Sequence, residues 1–137
     1  MLRLGVNDIP YNEGGVTTFQ VARWLEDKYG VMAAFYSRHQ EDVSKSVENS
    51  YGGAMETMFQ GGPVVTQPLA GAFSDIKTAF QTFLLTGEIE GMGIPGVPTK
   101  AAQDRRSSRF KKGKAPSQRP SFVDTGVFET NFQAWAD

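Results

Sequence analysis

The stretch Arg119-Pro120-Ser121-Phe122-Val123-Asp124-Thr125-Gly126-Val127-Phe128-Glu129-Thr130-Asn131-Phe132-Gln133-Ala134-Trp135 decides how the chain is read. Pro120 favours an extended approach, Asp124 and Thr125 are helix-capping residue types, and Phe128, Phe132 and Trp135 recur at i, i+4 and i+7. The spacing predicts a capped terminal helix over 121–137 with one aromatic stripe. Such a short helix is marginal in water by itself, so its aromatics imply a groove that receives them, here or in a neighbouring subunit. Asp124, Thr125, Gly126, Phe128, Phe132 and Trp135 are therefore candidate subunit-docking residues.

Working back from this stretch, helical periodicity dominates. Pro68 opens a segment in which Leu69, Phe73, Ile76, Phe80, Phe83 and Leu84 share a face, with Thr86-Gly87 after it. A longer pattern over 41–60 aligns Val43, Val47, Tyr51, Met55, Met58 and Phe59, and stops at Gly61-Gly62-Pro63. Its interior pair Gly52-Gly53 costs about 1 kcal/mol each relative to Ala, which is tolerable where another helix crosses closely. Val31–Tyr36 reads as an extended or helical link. Thr17 or Thr18 caps a helix through Lys28, with Phe19, Ala22, Leu25 and Tyr29 on its face and Gly30 as the stop. Leu2–Ile9 alternates loosely, as a short strand would. The fold class is mainly α, or α+β with a small sheet, in a single compact domain over 1–137. An extended Gly/Pro-rich loop and basic arm is expected over 87–120, with Thr99 capping a short basic helix to about Phe110.

Composition limits what this domain does. The chain has 137 residues, 39% of them hydrophobic, a mean hydropathy of −0.36, and no apolar run near the length of a bilayer span. No membrane partner is expected, and the N-terminus lacks the features of a signal peptide, so synthesis in the cytoplasm is expected. Zero Cys removes disulfides and thiolate chemistry. A net charge of −1 conceals a division: Lys100, Arg105, Arg106, Arg109, Lys111, Lys112, Lys114 and Arg119 are eight of fourteen basic residues. Only Asp104 opposes them locally, so a cationic arm is attached to an anionic body.

The terminal stretch also resembles the C-terminal signature of tail-completion or neck proteins, which join head to tail in tailed bacteriophages and prophages. The matching residues are Pro120, Asp124, Thr125, Gly126, Phe128 and Phe132. Pro98-Thr99-Lys100-Ala101-Ala102 and Ser108-Arg109-Phe110-Lys111 are similar to segments expected in the same group. The chain departs from the pattern at Phe128-Glu129, where a basic pair often follows the Gly. The resemblance implies a virion protein of the neck or tail, forming a homo-oligomeric ring and meeting connector, tail-tube or sheath proteins.

No constellation recommends catalysis. Gly91-Met92-Gly93-Ile94-Pro95-Gly96 has the letters of a dinucleotide fingerprint, but Glu88 and Glu90 stand where a strand should be, and Pro95 and Pro98 deny it a helix. His39 is the only histidine and, beside Glu41 and Asp42, reads as solvated near a helix start. Glu88 and Glu90 read as a solvated loop. The expectation is a non-enzymatic structural protein with no cofactor or metal. The alternatives are a small DNA-contacting or packaging accessory that tracks phosphates non-specifically through the basic arm, or a tail or baseplate component.

Overall fold

The computed structural model describes residues 1–10, 14–105, 119–123 and 127–137. The described residues are mainly helical with one two-stranded sheet: β1 (Leu2–Val6), α1 (Thr18–Tyr29), α2 (Val31–Phe59), α3 (Ala70–Leu85), a 3-10 turn (Glu88–Met92), α4 (Lys100–Gln103), α5 (Val127–Thr130) and β2 (Phe132–Ala136).

Local chemistry sets the α1–α2 corner. Thr17 and Gln20 form a reciprocal capping box at the start of α1. Gly30, at φ 62°, ends α1 and starts α2, a backbone conformation that favours glycine. The Glu26 carboxylate then accepts from the amides of Met32 at 2.7 Å and Ala33 at 3.1 Å, satisfying two donors at the N-terminus of α2. The segment Val31–Tyr36 is thus helix, and α2 continues through a non-helical residue, His39, with φ −113° and ψ 18°.

The core is a phenylalanine cluster at the crossing of α2, α3 and the C-terminus. Phe80 stacks on Phe132 with ring centroids 3.9 Å apart, meets Phe128 edge-on at 6.0 Å, and faces the edge of Phe35 at 5.3 Å. Phe35, Phe80, Phe83, Phe128 and Phe132 are all fully buried. Helix α3 runs antiparallel to α2: Phe35 meets Phe83 near one end, and a Cβ at Gly71 would lie 3.2 Å from Ser50 Oγ near the other.

The expected C-terminal docking helix over 121–137 is corrected here. Among the described residues of this stretch only Val127–Thr130 is helical, and Phe132–Ala136 is a strand antiparallel to β1, with Leu4 opposite Ala134 and Val6 opposite Phe132. A spacing of four serves either period, because a strand also returns to the same face after an even number of residues. The pairing with β1 decides it. Phe132 and Ala134 turn inward, whereas Trp135 turns outward and lies across Gly5, where a Cβ would come 2.8 Å from its Cη2 atom.

The expectation of an extended arm over 87–120 also changes. Ile89 and Ala102 are fully buried, and Met92, Ile94 and Val97 pack on the core. Thr99 caps α4, its Oγ1 accepting from the amide of Ala102 at 3.3 Å, and α4 ends at Gln103. Asp104 and Arg105 follow as a turn, Arg105 at φ 56°, and the remainder of the predicted basic helix, 106–110, lies outside the described residues.

Candidate functional site

The sequence-predicted docking residues separate. Phe128 and Phe132 are buried in their own chain's core, which removes them from any docking surface, while Trp135 remains 42% exposed on the outer face of the sheet. Asp124, Thr125 and Gly126 lie outside the described residues. So do Arg106, Arg109, Lys111, Lys112 and Lys114 of the basic arm.

The root of that arm is described, and it is pinned. Ser121, fully buried, donates to Glu90 Oε1 through both its amide and its hydroxyl, each at 2.8 Å, and its Oγ accepts from the amide of Thr99 at 3.0 Å. One buried hydroxyl therefore ties the two ends of segment 99–121 together and to the 3-10 turn. Lys100 and Arg119 flank the knot, and Arg119 donates to the carbonyl of Val123 at 2.8 Å. Glu90 is thus not a solvated loop residue.

Nor is Glu88, nor His39. His39 stacks on Phe35 at 5.2 Å and meets Phe83 edge-on at 5.8 Å. Its Nε2 lies 3.0 Å from Glu88 Oε2 and its Nδ1 lies 3.4 Å from Asp42 Oδ2, while Arg38 Nε reaches Glu88 Oε1 at 3.3 Å. The polar group fastens the 3-10 turn to the irregular point of α2. Among the described residues, no cluster of His, Asp and Glu could hold a metal ion, and no helix is long and apolar enough to cross a membrane.

The surface that sequence reasoning missed is the distal part of α2. Because α3 begins level with Ser50, the turns from Tyr51 to Phe59 overhang the core. Tyr51 is 53% exposed, Phe59 82% and, in the connection that follows, Val64 76%; Met55 and Met58 are exposed as well. These are the residues expected to line a buried face. Among the described residues no helix crosses closely at Gly52-Gly53, since a Cβ at either position would meet nothing within 4 Å. Gly52, Met55 and Phe59 stand at i, i+3 and i+7, so the glycine opens a notch beside the aromatic stripe. From Ser46 to Ser74 the chain carries Glu48 and Glu56 and no Lys, Arg or His.

Two apolar troughs complete the surface. One, of about 260 Å³, lies between β1 and the flank of α1, over Leu4, Val6, Phe19, Ala22 and Met32. The other, of about 250 Å³, lies at the root of the overhang, over Pro68, Leu69, Phe73 and Ala136. Comparison with protein families, with curated proteins and with solved structures finds no match to this chain.

Proposed function

We propose that this chain is a non-enzymatic structural subunit of a tailed-phage or prophage virion, assembling head to tail into a ring at the head–tail neck. The observation that supports it is the overhang of α2. Isolated exposed apolar residues are ordinary, but a contiguous stripe of Tyr51, Met55, Met58 and Phe59 on a helix projecting from the core marks an interaction surface. Ring subunits need one surface to offer and another to receive. The resemblance of the Pro120–Phe132 stretch to neck and tail-completion proteins supplies the particle; a tail-terminator or baseplate position uses the same contacts.

Light scattering and negative-stain imaging of the purified chain, alone and with a connector or tail-tube protein, test this reading. Closed rings are expected, and a monomer under every condition would defeat it. A second reading draws on the pinned arm. The Thr99–Ser121 bond gathers Lys100 and Arg119 at the root of a segment carrying eight cations, which suits contact with a DNA backbone. Duplex binding that weakens steeply with salt would favour that role.

A further inference from the structure

The two-stranded sheet has one open edge. The amide of Asn7 donates to the carbonyl of Asn131 at 2.8 Å, and that of Asp137 to the carbonyl of Met1 at 3.2 Å. Bonded positions alternate along an antiparallel pair, so Arg3 and Gly5 also bond to β2, while the N–H and C=O groups of Leu2, Leu4 and Val6 point the other way. None of these outward groups has a hydrogen-bond partner among the described residues, and all three residues are only half-buried. The far edge of β2 differs, because Phe132 and Ala134 are buried against the core. A row of unpaired backbone donors and acceptors is matched along its length by one kind of protein partner, an extended strand.

Among the described strands of this chain, the outer edge of β1 in a second copy is the one left to supply it. Antiparallel pairing centred on Leu4 puts Leu2 opposite Val6, Leu4 opposite Leu4 and Val6 opposite Leu2. Every outward group then meets its complement, and the contact is two-fold, with the same patch on both sides. The same register sets Arg3 of one copy opposite Gly5 of the other on the outer face of the sheet. There the ring of Trp135, 42% exposed, already lies across Gly5, where a Cβ would come 2.8 Å from its Cη2 atom. Arg3, half-exposed and holding Asp137 through Nε at 2.8 Å, brings its guanidinium to that indole. Arg3 is also the one charged residue of β1. The incoming strand therefore presents only Leu2, Leu4 and Val6 to the inner side, where Arg23, Glu26 and Asp27 rim the trough.

We propose that β1 pairs antiparallel with β1 of a second copy, centred on Leu4, giving one sheet continuous across the two copies with Arg3 of each over Trp135 of the other. This goes beyond the ring reading and does not depend on it. A ring that also pairs through β1 becomes two rings joined face to face.

Leu4→Pro tests the edge itself. The Leu4 amide points away from β2, so proline there removes no bond of the chain's own ladder while it removes the donor at the centre of the seam. Circular dichroism verifies the fold and light scattering reads the mass. The mass should fall by half, from dimer to monomer or, where rings form, from double ring to single ring. A folded Leu4→Pro with the mass of the parent overturns the inference. A parent chain that forms single rings overturns it and leaves the ring reading intact, and a parent monomeric at every concentration overturns both. The absence of native Cys gives a readout that does not need the proline variant to fold. Leu4→Cys should crosslink to itself, whereas Leu2→Cys and Val6→Cys should crosslink only when mixed, each lying roughly 14 Å from its own equivalent across the seam. Crosslinks equally frequent in every combination, or in none, overturn the pairing. Trp135→Ala should weaken it about tenfold by removing two cation–π contacts, and undiminished pairing would overturn the Arg3 contact that selects a second copy.

Discussion

The two halves of α2 carry the same kind of apolar stripe and meet opposite fates. From Val31 to Val43 the stripe is buried, with Phe35 at the centre of the phenylalanine cluster; from Tyr51 to Phe59 it is largely exposed. Hydrophobic periodicity reports that a face is meant to be covered and does not report by which chain. Past the start of α3 only Ala54 is buried, and the described residues leave Tyr51, Met55, Met58 and Phe59 exposed, the stripe on which the proposed subunit contact rests.

The comparison is sharpened most by destroying the C-terminal packing that covers the inner half. Changing Phe128, Phe132 and Trp135 together to Ala is expected to unfold the chain. Each buried aromatic lost costs about 3 to 5 kcal/mol, and a domain of this size has only about 5 to 15 kcal/mol in total. Phe35→Ala alone should lose about 3 to 5 kcal/mol by the same mechanism, whereas Phe59→Ala should change stability by less than about 0.5 kcal/mol. Urea unfolding of the monomeric form measures all three. Similar losses at Phe35 and Phe59 would erase the distinction between the two halves.

A smaller effect is expected at the knot that roots the arm. Ser121→Ala removes a hydroxyl that donates to Glu90 and accepts from Thr99, leaving buried polar groups short of a partner, and should cost about 1 to 3 kcal/mol. Hydrogen exchange should show the loss at the Thr99 amide first. Smallest and opposite in sign is the glycine pair. No described residue occupies the space beside Gly52 and Gly53, so Gly52→Ala and Gly53→Ala should each stabilise the monomer by up to about 1 kcal/mol. If the Gly52 notch is part of the subunit contact, Gly52→Ala should weaken assembly while it strengthens the fold. A variant that gains in both would show that the notch meets nothing.

Features written in adjacent residues were legible before the structure. Thr17 and Gly30 bound α1 because capping is local chemistry, and the spacing from Leu69 to Leu84 announced α3. The C-terminus was not legible as a strand: its partner β1 lies about 130 residues earlier, and the step from Phe128 to Phe132 fits both periods. Glu90 and Ser121 meet across 31 positions, and His39 and Glu88 across 49, so Glu90, His39 and Glu88 looked solvated, and Ser121 looked like the start of a terminal helix, until the fold joined them. The basic arm was visible as a charge run. The knot at its root was not, because a serine has no periodicity to betray it.

The central claim is that the distal stripe of α2 is covered by another subunit, and methionine oxidation reads this directly. Met55 and Met58 are exposed in the single chain, so dilute peroxide should convert both to sulfoxide readily when the protein is monomeric. In the assembled particle both should be protected by tenfold or more, as should Tyr51 from radical labelling, while Met1 at the far terminus stays reactive in both states. Equal oxidation of Met55 and Met58 in monomer and assembly would contradict the account.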